Sequence, residues 1–366
     1  MEENIKKIVD QFKIEGTFES ANVFGDGLIN TTYRVETKEP DAPNYLFQIV
    51  NHHIFKNVAE LTKNIQRVTD HIRIKLADVP GIDLKRQVMT PIDTFDGKGF
   101  VHDEEGNYWR VFLFIEGARS YNQLSDENQA ITGGKAFGQF QKMLSDLPGE
   151  PLFPVLPDFH NTEMRINNFI KTLKADPKGR AKEVQEEVDF LMARTEEYKK
   201  IVQMGRDGII PERIVHQDTK FNNVLLDEND DVLCVIDLDT VMPGYVCYDI
   251  GDAIRNGANT GLEDDKNLDN VSVNMNLYRG FIKGYLSEAK EFLTPAEIDT
   301  LAFGAKLLTY EQAVRFFDDY IDGDNYYRIE YPEHNLVRTR AQIKLLKSME
   351  ENWDEMQKIV KEAVNI

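Results

Sequence analysis

Apolar and polar positions along this chain repeat with two different periods. Between Ile5 and Phe12 the apolar residues fall at i, i+3 and i+4, which predicts a first helix. The period then drops to two. "FESANVFGDGLINTTYRVET" reads as strand, turn, strand, with Gly25-Asp26-Gly27 as the turn, and "YLFQIVN" reads as a further strand. "NVAELTKNIQRVTDHIRIKL" returns to helical spacing and puts Val58, Leu61, Ile65, Val68 and Ile72 on one face. "KGFVHDEEGNYWRVFLFIEG" predicts a hairpin turning near Glu105-Gly106. Beyond Gly117 almost every periodic segment is helical: "NQAITGGKAFGQFQKML", "RINNFIKTL", "KEVQEEVDFLMARTEEYKKIV", "NMNLYRGFIKGYL", "PAEIDTLAFGAKLLTYEQAVRFFDDYI" and "RTRAQIKLLKSMEENWDEMQKIVKEAV". Pro295 suits the first turn of its helix. No internal repeat or low-complexity linker interrupts the pattern. It predicts an α+β fold with a small β-rich N-terminal lobe, residues 1–115, and a larger, mainly helical C-terminal lobe, residues 116–366. A tether near Phe114 to Gly117 would join them, and a boundary of this kind makes a cleft for small molecules.

Composition narrows the partners. A chain of 366 residues is too long for one small core. Its formal charge of −20 argues against a nucleic-acid backbone or an anionic membrane as partner, and leaves a small anionic ligand open. The two cysteines, Cys234 and Cys247, lie in apolar surroundings without CxxC spacing, so buried reduced thiols are expected rather than a disulfide or a zinc site. The N-terminus "MEENIKKIVDQF" is charged and amphipathic, unlike a secretion signal, and no apolar run approaches membrane-spanning length. A cytoplasmic protein is expected. The oligomeric state is left open, with a monomer favoured.

The chemistry concentrates in "IVHQDTKFNNVLLDENDDVLCVIDLDT", residues 214–240. His216-x-Asp218-x-Lys220-x-x-Asn223 sits at the mouth of one apolar strand, and Asp237 ends the next. Phosphoryl transfer from ATP needs an acceptor or aligner for the substrate hydroxyl proton and cations for the moving charge. Asp218 suits the first task and Lys220 the second. Asn223 and Asp237 offer the oxygens that a hard divalent cation takes, magnesium by default. The alternative is a polar hairpin whose Asp and Asn merely cap turns. The complete pattern, followed by an apolar strand ending in Asp, matches the kinase catalytic-loop signature. His216 is read as packing beneath the loop and holding a backbone group. Asp239 either binds a second cation, orients Asp237, or caps the turn that follows. Asp249 and Asp252 read as helix N-terminal residues holding the catalytic loop from behind.

"GDGLINTTY" would cover the phosphates, its small and hydroxylated residues letting backbone N–H groups approach them; Gly25, Asp26, Gly27, Asn30, Thr31 and Thr32 are the candidates. Phe114 and Glu116 of the tether complete the candidate nucleotide set. Kinases usually carry a strand lysine, paired with a helix glutamate, at the α- and β-phosphates. Here that strand position is Gln48, and Glu60 is the candidate glutamate, left without its cation. Either Lys220 and the metal carry the phosphate charge, or the chain binds nucleotide without turning it over. The intact Asp218, Asn223 and Asp237 favour activity.

With these residues in place, the chain resembles the aminoglycoside phosphotransferase and choline kinase-like superfamily, and within it the bacterial N-acetylhexosamine 1-kinases. The resemblance runs over nearly the whole chain and rests on "GDGLINTTY", "HQDTKFNN", "IDLDTVMPG", "IGDAIRNGANT" and "YPEHNLVRTRAQIKL". It implies a bilobal protein kinase-like fold, ATP as co-substrate, Mg2+, and phosphorylation of the anomeric hydroxyl of N-acetylglucosamine or N-acetylgalactosamine. Asp218 would contact that hydroxyl, Arg315 would reach the sugar and Tyr326 would help wall its pocket. Read from the residues alone, Arg315 lies on a strongly apolar helix and needs either a ligand or an internal salt bridge, to Asp318 or Asp319 for example. A kinase for choline, homoserine or an aminoglycoside, and a nucleotide-binding pseudokinase, stand as the other readings.

Overall fold

A computed structural model describes residues 2–25 and 29–365. The chain divides into two compact units. The first comprises Met1–Ser120, Met143–Pro157 and Val224–Pro243; the second comprises Tyr121–Lys142, Asp158–Asn223 and Gly244–Ile366. The fold class is α+β, with a β-sheet in the N-terminal region and helices through the C-terminal region.

The first unit is built on an antiparallel sheet of five strands: β1 (Phe18–Val23), β2 (Thr31–Thr37), β3 (Tyr45–Val50), β4 (Val101–His102) and β5 (Tyr108–Leu113), in the order β1-β2-β3-β5-β4. Strand alternation puts Val35, Phe47 and Val111 into the core, where Ile5, Val9 and Phe12 cover them. The N-terminal helix runs from Glu2 to Val9, so Phe12 joins the core from beyond its end. The long helix spans Val58–Leu76, capped by Asn57, whose side chain accepts from the N–H of Glu60. All five residues of its predicted apolar face are buried, each contributing about 1.5–3 kcal/mol relative to exposure. The predicted hairpins form as β4 and β5, and as Val224–Leu226 with Val232–Val235.

The second unit is helical. Its longest helix, Pro295–Asp322, starts in a capping box between Thr294 and Glu297 and stops at Gly323, whose φ is +109°. Among the described residues two pairs of helices touch backbone to backbone. A Cβ on Gly134 would lie 2.1 Å from the carbonyl oxygen of Phe281, and one on Gly284 would lie 2.1 Å from that of Ile131. Gly251 and Gly304 make the same kind of crossing between the helices Val246–Gly257 and Pro295–Asp322.

Two predicted helices are broken. The segment 182–202 divides into the helices Gln185–Met192 and Lys200–Arg206, joined by irregular chain and a short 3-10 turn, Glu197–Lys199. The break lets Tyr198 enter the core, stacked on Tyr310 at 4.1 Å. The last segment begins earlier, at His334, and divides at Asn352 into His334–Glu351 and Trp353–Val364. The division lets the first half pack on Pro295–Asp322 and the second on Met275–Ala289, where Met356 O accepts from Tyr278. Among the described residues no helix is long and apolar enough to cross a membrane. Cys234 and Cys247 are both buried free thiols, and burial pushes each up to about 12.

Candidate active site

In the second unit the strand Arg213–Val215 delivers the chain to His216, which is fully buried against the edges of Phe137 and Phe140. The Asp218 N–H donates to His216 Nδ1 at 3.3 Å, which puts the proton of a neutral ring on Nε2. The loop is held from behind by the helix Val246–Gly257. Asp249 accepts from the N–H of His216 (2.9 Å) and of Gln217 (2.7 Å), and Gln141 donates to the same carboxylate. Asp252 accepts from the N–H of Thr219 at 2.9 Å, and the Thr219 hydroxyl donates to Asp249 O at 2.6 Å. These bonds hold Gln217 at a φ of +65°, a turn that extended backbone could not make.

The two supporting carboxylates differ. Complete burial pushes Asp249 up, against the pull of His216, its backbone donors and Gln141. Burial would push Asp252 up as well, but Arg255, Lys220 and His160 outweigh it and hold it below the usual carboxylate range. Lys220 forms an ion pair with Asp218 at 3.0 Å. Burial works against its charge, yet Asp218 and Asp252 hold the ammonium above its ordinary value. Solvent screens that pair, since 49% of the Lys220 side chain is exposed. Asn223 donates through Nδ2 to Asp218 O at 2.9 Å, and among the described residues its Oδ1 takes no hydrogen bond. A magnesium ion needs few protein oxygens, and Asn223 Oδ1 fits that requirement.

The first unit holds Asp237 and the nucleotide candidates. Asp237 ends the hairpin in left-handed backbone, φ 60° and ψ 61°, and opens the short turn Leu238–Thr240. Both oxygens of Asp239 are engaged: Oδ1 accepts from Arg110 Nη1 at 2.5 Å, and Oδ2 from Arg110 Nη2 at 2.9 Å and Asn30 Nδ2 at 2.7 Å. Gln48 lies beside Arg110 in the β3–β5 register, accepts from its Nε at 3.0 Å and donates to Thr32 Oγ1 at 3.1 Å. Asn30 Oδ1 accepts from the N–H of Asn51. Thr31 and Thr32 start β2, and Gly25 has a φ of +75°. Asp26 and Gly27 lie outside the described residues. Phe114 meets Phe24 edge-on and carries the Arg34 guanidinium over its ring at 4.4 Å; Glu116 accepts from Asn44 and Arg34. Glu60 is paired with Lys63 at 3.8 Å.

Also in the second unit, Arg315 is half-buried. Among the described residues it has no carboxylate within ion-pair distance; Gln312 accepts from it at 3.3 Å, and Phe159 and Tyr327 lie near its guanidinium. Asp319 is occupied by the N–H groups of Asn325, Tyr326 and Tyr327 and by Asn335. Tyr326 is 74% exposed, with its edge against Tyr327, and Tyr327 is the ring beside Arg315. Reasoning from the sequence missed Tyr327 and Arg110. A lone arginine in the apolar strand "YWRVFLF" was the available signal for Arg110. It also missed the buried trio in which Glu311 accepts from Thr162 and pairs with His160 at 2.8 Å.

The fold has well-covered relatives among solved structures. An amicoumacin kinase, hAmiN, in complex with AMP-PNP, Ca2+ and Ami, matches with a TM-score of 0.60 and 14% identity over 93% of this chain and 92% of its own. An aminoglycoside phosphotransferase from Alicyclobacillus acidocaldarius matches with a TM-score of 0.63 and 11% identity, over 97% and 96%. A choline kinase from Cryptosporidium parvum Iowa II matches with a TM-score of 0.55 and 14% identity, over 100% and 99%. At these identities the likeness is one of fold. The sequence match is more specific: the family described as APH, phosphotransferase enzyme family, covers residues 20–292, so the chain belongs to the APH phosphotransferase enzyme family.

Proposed function

We propose that this phosphotransferase is an ATP-dependent anomeric kinase that converts N-acetylglucosamine or N-acetylgalactosamine to the sugar 1-phosphate. The observation that carries the reading is the catalytic loop: Asp218 is paired with Lys220, and its neighbours His216, Gln217 and Thr219 donate three backbone hydrogen bonds to the buried carboxylates of Asp249 and Asp252. In this reading Asp218 aligns the anomeric hydroxyl and accepts its proton, and Lys220 neutralises charge on the transferred phosphoryl group. Asn223 and Asp237 serve as oxygen ligands of Mg2+, which offsets phosphate charge when bound. Gly25, Asp26, Gly27, Asn30, Thr31, Thr32, Gln48, Phe114 and Glu116 form the nucleotide set, and Arg315 and Tyr326 the sugar set.

Relatives of this fold include a choline kinase and an aminoglycoside phosphotransferase, so a kinase of another small alcohol is the second reading. Arg315 favours a sugar. A half-buried guanidinium with no carboxylate at ion-pair distance among the described residues repels a quaternary ammonium or a polyamine and offers hydrogen bonds to a hydroxyl or an acetamido oxygen. ADP release should be measured with MgATP against N-acetylglucosamine, N-acetylgalactosamine, galactose, choline and homoserine, with the product checked for phosphate on the anomeric carbon. Turnover confined to the acetylated sugars is expected, and chelation of the metal should abolish it. Turnover on choline or homoserine would discard the sugar assignment; nucleotide binding with no turnover on any acceptor would leave a pseudokinase.

A further inference from the structure

The strand lysine of kinases is replaced in this chain by glutamine, yet a buried cation stands one strand away. Arg110 on β5 is 4% exposed, and three of its nitrogens are engaged at once. Nε donates to Gln48 Oε1, which turns the Gln48 amide nitrogen toward Thr32 at the start of β2. Nη1 and Nη2 form a two-pronged pair with Asp239, two residues beyond Asp237. Asn30 closes the network by donating to Asp239 Oδ2 while accepting from the N–H of Asn51. One charge-balanced network thus ties the end of the GDGLINTTY segment, β3, β5 and the turn after Asp237. Because Asp239 accepts three hydrogen bonds from Arg110 and Asn30, it anchors that turn. Because Arg110 is neutralised by Asp239, it adds little net positive charge for phosphates.

We infer that Arg110 is a positioning residue that replaces the kinase strand lysine. Through Asp239 it sets the left-handed turn that presents Asp237, and through Gln48 it aligns the start of β2. This rests on the proposal that Asp237 and the GDGLINTTY segment serve MgATP. A planar fork is required: an ammonium at position 110 cannot engage Gln48 and both Asp239 oxygens together. A lysine introduced at position 48 would face Arg110 directly, with the only carboxylate of the network already used.

The test is calorimetric binding of MgATP, with melting temperatures and separate KM values for ATP and acceptor, on the wild type, R110Q, R110K, Q48K and Q48K/R110Q. R110Q and R110K should weaken MgATP binding and raise the ATP KM about 10–100-fold, as loss of a partner that orients a metal ligand does, while the acceptor KM stays within about threefold. Q48K alone should weaken MgATP. Q48K/R110Q returns a cation to the usual kinase strand but not the planar fork, and should not recover the affinity lost in R110Q. The inference is overturned if folded R110Q binds MgATP as the wild type does, or if Q48K tightens binding with Arg110 in place. Should R110Q fail to fold, Q48K decides alone. A wild-type chain that does not bind MgATP would instead remove the reading of the site on which the inference rests.

Discussion

At the scale of single residues, Asp218 and Arg315 answer to different measurements. Asp218→Asn keeps the size of the side chain and the backbone bond to His216 while removing proton acceptance. It should cut turnover about 10²–10⁴-fold with little change in MgATP affinity, checked by steady-state rates and calorimetry. Unchanged turnover would take Asp218 out of its assigned role. Arg315→Met preserves the apolar stem beside Phe159 and Tyr327 but removes the guanidinium. The acceptor KM for an acetylated sugar should rise about tenfold or more, in line with a lost charged hydrogen bond, while the ATP KM holds. An acceptor KM for the acetylated sugar that does not change in this variant would remove Arg315 from the sugar set. The residues legible in the sequence at this scale were those whose chemistry is local: the His216–Asn223 spacing, and Asp249 and Asp252 in one helix, where Asp249 lies in the first turn as expected and Asp252 one turn further in. Arg110 and Tyr327 were not, because their meaning depends on partners 129 and 12 positions away, Asp239 and Arg315.

Elements obey the periodic pattern where one face is buried and depart from it where packing divides a segment. The long helix Val58–Leu76 and the sheet strands follow their apolar period closely. The breaks near Tyr198 and at Asn352 occur where a continuous helix would have missed a second packing partner. Small residues set how closely helices approach, and this is where substitutions bite. At Gly284 a methyl group would meet the carbonyl of Ile131 at 2.1 Å, and that backbone atom cannot rotate away. Gly284→Ala should therefore destabilise the chain by about 1–3 kcal/mol despite the better helix propensity of alanine, read as a lower denaturant midpoint. A midpoint at or above that of the wild type would mean the helices separate at little cost.

For the molecule as a whole, acid stability follows from its buried carboxylates. Burial alone would raise Glu297 and Glu311, but Arg213 holds the first and His160 the second below the ordinary 4.5. Asp252 is likewise held below its ordinary 3.8. A carboxyl depressed in the folded state binds its proton more weakly there than in the unfolded chain. Its stabilisation is complete above its unfolded pKa and disappears as pH falls through the folded one. Asp249 is raised, so it acts with the opposite sign, favouring the folded state as it gains a proton. Three depressed groups, Asp252, Glu297 and Glu311, against two raised, Asp249 and Asp318, predict that the urea midpoint drops as pH falls below about 4.5, with Glu297→Gln flattening that slope. A midpoint constant from pH 7 to 3 would show that these pairs contribute nothing to folding.

By itself the sequence determined the element types, the α+β class and the catalytic-loop candidates, because period, turn chemistry and motif spacing act within a few residues of chain. Tertiary structure alone decided which charges meet. Sheet register set Gln48 beside Arg110, and a turn more than a hundred residues later supplied Asp239 to neutralise it. Among the described residues, the same packing left Arg315 without a carboxylate within ion-pair distance and brought Tyr327 beside it. Charge pairing depends on distance in space and on exclusion of water, and neither is written in spacing along the chain.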